Sequence, residues 1–129
     1  MPKNYQKLKL NYKIWVETDS HVSILGEGKW KLLKAIKETG SLKAAIESMG
    51  LTYRQTWSKL NNIEEKLGFP IIEKTRGGAE GGQTNLTPQG EKIVEFFEKL
   101  YHEFESPVQK IFNELLDELN AIHKKGQKR

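Results

Sequence analysis

Residues Ser41–Gly68, SLKAAIESMGLTYRQTWSKLNNIEEKLG, place two helix starts and two helix stops within 28 residues. Ser41 is an N-cap residue in front of a short apolar-periodic run, and Gly50 supplies the left-handed stop. Thr52 opens the next helix, and Gln55, three positions on, completes a capping box before Gly68 ends it. The spacing predicts a helix of barely two turns, a turn of about three residues beginning at glycine, and a longer helix, which is a helix-turn-helix. At 3.6 residues per turn, Tyr53, Thr56, Leu60, Ile63 and Leu67 share the inner stripe of the longer helix. Arg54, Gln55, Ser58, Lys59 and Asn62 fall on its outer face, and no acid appears before Glu64 and Glu65. Arginine suits guanine edges, and glutamine or asparagine suits adenine, so an acid-free first half fits a helix that enters a DNA groove. Trp57, at the edge of the apolar stripe, reads as packing against the neighbouring helix.

On the C-terminal side, Phe69–Lys74 and Thr84–Leu86 read as two short strands around a loop with paired glycines, Gly77, Gly78, Gly81 and Gly82. Glycines let a backbone approach phosphates closely, and Lys74 and Arg76 at the base of the loop supply positive charge. Such a hairpin is a wing, with Gln83 at its return. The DNA-contacting set expected from the sequence therefore comprises Thr52, Tyr53, Arg54, Gln55, Ser58, Lys59, Asn62, Lys74, Arg76, Gly77, Gly78, Gly81, Gly82 and Gln83.

Thr87 followed by Pro88 predicts a helix starting directly after the wing. From there Ile93, Phe97, Leu100, Phe104, Val108, Ile111, Leu115, Leu119 and Ile122 recur at three- and four-residue steps. That seam outruns the core of so small a domain and is expected to dimerise. Ser106, Pro107 and Gln109 imitate a second capping box, which predicts that the stretch breaks into two helices at Pro107. Towards the N-terminus, Leu8, Leu10, Tyr12, Ile14 and Val16 alternate with polar residues, as in a strand with one buried face. DSHVSILGEG is turn-rich. KWKLLKAIKETG reads as a helix with Trp30, Leu33 and Ile36 inside, closed by Gly40, and Trp30 and Phe96 are expected in the core. The fold expected is mainly α with a small β-hairpin wing: one winged helix-turn-helix domain over about 7–105, with a C-terminal helix at 106–124 for dimerisation.

Composition narrows the function. At 129 residues the chain suits one domain with one site. It has no cysteines, so disulfides and thiolate metal sites are out, and His21, His102 and His123 are too scattered for a metal cluster. Neither a membrane span nor a signal segment is visible, so a cytoplasmic protein is expected. Residues 1–16 hold four lysines and no acid, and the tail HKKGQKR adds four positive charges. Pro88–Ile122 instead carries eight acids against three lysines, a stretch that would not face a polyanion. No nucleophile–base arrangement, paired carboxylates or phosphate-binding glycine motif supports an enzyme, and no cofactor is expected.

GSLKAAIESMGLTYRQTWSKLNNIEEKLG together with EKTRGGAEGGQTNLTPQG resembles the N-terminal DNA-binding domain of the molybdate-responsive ModE regulators, relatives of the winged helix-turn-helix of LysR-type regulators. The most specific parts are Thr52-Tyr53-Arg54 with Trp57, and the doubled glycines leading into Leu86-Thr87. The resemblance runs from about Gly28 to Leu100. It implies a dimeric DNA binder with the longer helix in the major groove, the wing on the backbone or minor groove, and the helix after the wing contributing to dimerisation. In the shorter helix Ile46 occupies a position that is usually small in that family. The family's molybdate-binding domains have no counterpart in these residues, so molybdate sensing is not expected to carry over.

The function expected is a double-stranded-DNA-binding transcription regulator acting as a homodimer, with any signal coming from abundance, an interface ligand or a separate sensor protein. The alternative of another class is a winged helix that docks a protein partner instead of DNA.

Overall fold

The computed structural model describes residues 7–75 and 83–127. A small ribbon, β1 (Val16–Glu17) and β2 (Ser23–Leu25), precedes three helices, α1 (Glu27–Thr39), α2 (Leu42–Met49) and α3 (Tyr53–Leu67). A second ribbon, β3 (Ile72–Thr75) and β4 (Gln83–Leu86), leads into one long helix, α4 (Pro88–Gln127). This order is a winged helix-turn-helix, mainly α with a small antiparallel hairpin.

The helix boundaries fall where the capping chemistry puts them. Ser41 Oγ accepts from Ala44 N, and Thr52 and Gln55 form both halves of the capping box. Gly40, Gly50 and Gly68 each stand at a helix C-terminus with φ between 66° and 82°, a conformation that costs other residues a Cβ clash. With Gly50 in that conformation α2 ends abruptly and α3 starts three residues later.

The hairpin is anchored at both ends. β3 and β4 pair in register Ile72↔Leu86, Glu73↔Asn85, Lys74↔Thr84 and Thr75↔Gln83, which turns Thr84 and Leu86 inward. Thr84 N donates to Gly40 O at 3.0 Å, tying β4 to the end of α1. The Glu64 carboxylate accepts from Ile71 N at 2.7 Å and from Ile72 N, so the first acid of α3 fixes the turn into β3. Thr87 caps α4 through Gly90 N and donates its own hydroxyl to Pro70 O.

By its contacts the chain forms two units. The first is Lys13–Phe97; the second joins the N-terminal segment through Tyr12 to the chain from Glu98 onward, so α4 contributes residues to both. In the first unit Leu32, Leu33, Ile36, Ala45, Leu60, Ile63, Ile71, Val94 and Phe97 are fully buried. Burying one large apolar side chain contributes about 1.5–3 kcal/mol, so these positions dominate the stability of the unit. In the second, Tyr12 Oη donates to Glu105 Oε2 at 3.2 Å, its ring lies 5.8 Å from that of Tyr101, and Gln109 Nε2 reaches Leu10 O.

Several expectations are corrected. The strand expected over Leu8–Val16 is extended backbone with no ladder before Val16, although Leu10, Tyr12, Ile14 and Val16 are half-buried while the residues between are exposed. A period of two reports an extended chain lying on a surface and does not specify a hydrogen-bonded neighbour. Within the turn-rich DSHVSILGEG, Ser23–Leu25 pairs with Val16–Glu17 across a bulge. Pro107 does not break the helix, and α4 continues through it. Gln109, which a capping box would commit to the Ser106 backbone, serves Leu10 instead. Both Pro107 and Glu103, whose carbonyl loses its donor, are exposed residues, so water can replace the missing bond. Phe96, expected in the core, is 46% exposed; Trp30 is half-buried and stacks on Phe97. Among the described residues no helix is long and apolar enough to cross a membrane.

Candidate nucleic-acid interface

The outer face of α3 is built by its burial pattern. Thr56, Leu60 and Ile63 are fully buried and Leu67 is half-buried, which turns Arg54, Gln55 and Ser58 outward. Tyr53, assigned by periodicity to the inner stripe, is 58% exposed, because the first turn of α3 projects beyond the core that covers Thr56. Arg54 makes no hydrogen bond or ion pair with the described residues. Thr52 and Gln55 are exposed, but Thr52 Oγ1 accepts from Gln55 N and Gln55 Oε1 accepts from Thr52 N. The Gln55 amide NH2 is then the part of that side chain left for a partner.

Lys59 and Asn62 are half-buried. Asn62 Oδ1 accepts from Lys29 Nζ at 2.9 Å, and the same ammonium donates to Ile24 O at 2.8 Å. This bracket joins the start of α1, the middle of β2 and the middle of α3. Burial pulls the Lys29 ammonium below the usual lysine range, and the neighbouring Lys59 charge adds to the effect. Asn62 therefore serves inside the protein with its oxygen and can face outward only with its NH2. Lys29 was not legible as part of this face, since nothing in GEGKW signals a bond to a residue 33 positions away.

At the hairpin, Lys74 and Gln83 are exposed on facing strands, with Gln83 beside Gly40. The Lys74 ammonium lies 4.3 Å from the centroid of the Trp57 ring, and Tyr53 meets the same ring edge-on at 6.1 Å. Trp57 is half-buried, and its partners are a strand lysine and a tyrosine one turn earlier on α3, beyond what the stripe position indicates. Arg76, Gly77, Gly78, Gly81 and Gly82 lie outside the described residues.

Along α4, Ile93, Leu100, Val108 and Leu119 are half-buried, while Phe104 (46%), Ile111 (66%), Leu115 (47%) and Ile122 (68%) are exposed. Phe97, assigned to the dimerisation seam, is corrected: it is fully buried against Trp30, with ring centroids 6.0 Å apart, and has no surface to offer a partner. Among the described residues no group of three potential metal ligands comes together.

Residues 28–91 match the family model of bacterial regulatory helix-turn-helix proteins of the lysR family. The chain is 33% identical over 96 residues to the molybdenum-pterin-binding protein MopB of Rhodobacter capsulatus, an alignment covering 74% of this chain and 34% of that protein. It is 30% identical over 97 residues to the molybdenum transport protein ModE of Azotobacter vinelandii, covering 75% and 36%. With the DNA-binding transcriptional dual regulator ModE of Escherichia coli K12 it shares 28% identity over 69 residues, covering 54% and 26%. The chain thus spans about a third or less of these relatives' length. Among solved structures, the BenM DNA-binding domain in complex with benA site 1 DNA aligns with a TM-score of 0.49 at 22% identity, over 64% of this chain and 88% of that one. Residues 28–91, which hold α1 from its second residue, the α2–α3 pair, the hairpin and the first turn of α4, are a LysR-type helix-turn-helix domain with relatives among the ModE and MopB proteins.

Proposed function

We propose that this chain is a transcription regulator that binds double-stranded DNA as a homodimer, with α3 in the major groove and the β3–β4 wing against the backbone or minor groove. The observation that carries the reading is the outer face of α3: Arg54 and Ser58 exposed, Gln55 presenting its amide NH2, and no acid before Glu64, whose carboxylate is occupied by Ile71 N. A face with donors and no repelling carboxylate suits the acceptor-rich edge of guanine and the phosphates beside it. Similarity to the Escherichia coli DNA-binding transcriptional dual regulator supports the same reading.

Dimerisation would run through α4. Phe104, Ile111, Leu115 and Ile122 follow at steps of seven, four and seven, the spacing of a coiled-coil seam, and large apolar side chains in such a row call for a covering surface. Two copies would present two α3 helices to a pair of half-sites, which multiplies the affinity that one short helix supplies. The acidic balance of α4 between Pro88 and Ile122 keeps that helix off the DNA.

Arg54→Ala tests the assignment of sequence readout to α3. It should weaken binding to the selected site by about 1–3 kcal/mol, the value of a good bidentate base contact, while affinity for random duplex changes little. Titration of both duplexes by fluorescence anisotropy separates the two. Equal losses on specific and random DNA would make Arg54 a phosphate contact and move readout elsewhere on the helix.

A further inference from the structure

α3 and the hairpin are distant in function, one reading bases and the other gripping the backbone, and Trp57 brings the two together. Trp57 stands on α3 with its ring half-buried, Tyr53 packs against it edge-on, and the Lys74 ammonium of β3 lies over its face at 4.3 Å. Lys74 is otherwise an exposed residue of a four-residue strand, opposite Thr84. A free lysine side chain is rich in rotamers, and it loses that entropy on gripping a phosphate. A cation over an indole is held there by the ring's electron-rich face, and tryptophan is the strongest of the aromatic faces. Part of the ordering cost of Lys74 is therefore met before any DNA arrives.

We propose that Trp57 is a positioning residue for DNA binding: its ring seats the Lys74 ammonium so that β3 delivers a backbone phosphate contact in fixed register with the base-reading face of α3. The inference rests on the DNA-binding reading above and adds to it a residue that touches neither base nor phosphate. Tyr53, 58% exposed, meets the same ring edge-on at 6.1 Å.

The test is a double-mutant cycle of Trp57→Leu and Lys74→Met on the full chain, titrated against its selected duplex across a salt series, with circular dichroism confirming the fold of each variant. Lys74→Met should lower affinity about tenfold near 0.1 M salt and reduce the slope of log affinity against log salt by about 0.9, the loss of one phosphate contact. Trp57→Leu, which removes no charge, should reproduce most of that slope change, and the double variant should be no worse than Lys74→Met alone. Trp57→Phe, which keeps an aromatic face, should retain the wild-type slope; it carries the test if the leucine variant does not fold, with Trp57→Phe/Lys74→Met completing the cycle. Additive losses, or a Trp57→Leu variant whose affinity falls with an unchanged slope, would overturn the positioning role while leaving DNA binding in place. A wild-type protein that binds no duplex would overturn both.

Discussion

Phe97→Ala should lower the free energy of unfolding by about 3–5 kcal/mol, read from urea denaturation followed by circular dichroism. Phe97 is completely buried, stacked on Trp30 at an interplanar angle of 22° and met edge-on by Phe96 at 5.2 Å. Truncation removes the ring from water-excluded contact and leaves a cavity lined by residues that α1 and α4 hold in place, so little collapse can offset it. Against a total stability of about 5–15 kcal/mol, such a loss leaves a domain of this size close to unfolding. Phe104→Ala, on the same helix but 46% exposed, is the control and should change monomer stability far less. If Phe97→Ala left the unfolding transition unmoved and weakened self-association instead, Phe97 would be a seam residue after all and the boundary of the core would need redrawing.

Gly90→Val should destabilise at or above the top of the roughly 1–3 kcal/mol usual for overpacking. A Cβ at Gly90 would run into the Ile71 carbonyl oxygen, with Ile71 Cγ2 and Leu86 Cβ also close. That carbonyl cannot move away cheaply, because it accepts from Thr87 N at 2.8 Å, and Thr87 also binds Pro70 O and caps Gly90 N. Backbone thus meets backbone where the first turn of α4 crosses the entry to β3, and relief requires lifting the helix from the hairpin. Since the hairpin carries Lys74, the variant should lose DNA affinity along with stability. A thermal melt within a degree or two of wild type would show that α4 is free to shift there and that the hairpin is less firmly anchored than its hydrogen bonds indicate.

The helices that make the motif were legible because each end carries a local chemical mark. Ser41, the Thr52–Gln55 box and the three C-terminal glycines act through bonds within four residues, so sequence spacing alone specifies them. What failed depended on partners far away in the chain. The seam of α4 keeps one period from Ile93 to Ile122, but the period does not say at which turn the helix leaves the core, and Phe97 lies before that point. Ser106-Pro107-x-Gln109 is the same string at a helix start and in mid-helix, and Leu10, the residue that takes up Gln109, is 99 positions away. Likewise the outer face of α3 was readable as a set, whereas the commitment of Asn62 to Lys29 and the seat of Lys74 on Trp57 appear only once β2, β3 and α1 are in place.

In the proposed mode of binding this fold grips duplex DNA through its positive charges and reads sequence with α3. That mode is tested most directly by fluorescence anisotropy of the full chain against a random duplex pool, at 50 mM and 200 mM salt as working conditions, with the retained DNA sequenced. Neutralising several phosphates makes affinity fall by orders of magnitude across such a range, each contact adding about 0.9 to the slope. A dimeric regulator should show that steep dependence together with retained sequences that share a two-fold symmetric site. No binding at the lower salt would contradict it, and the face from Arg54 to Asn62 would then be a docking surface for protein.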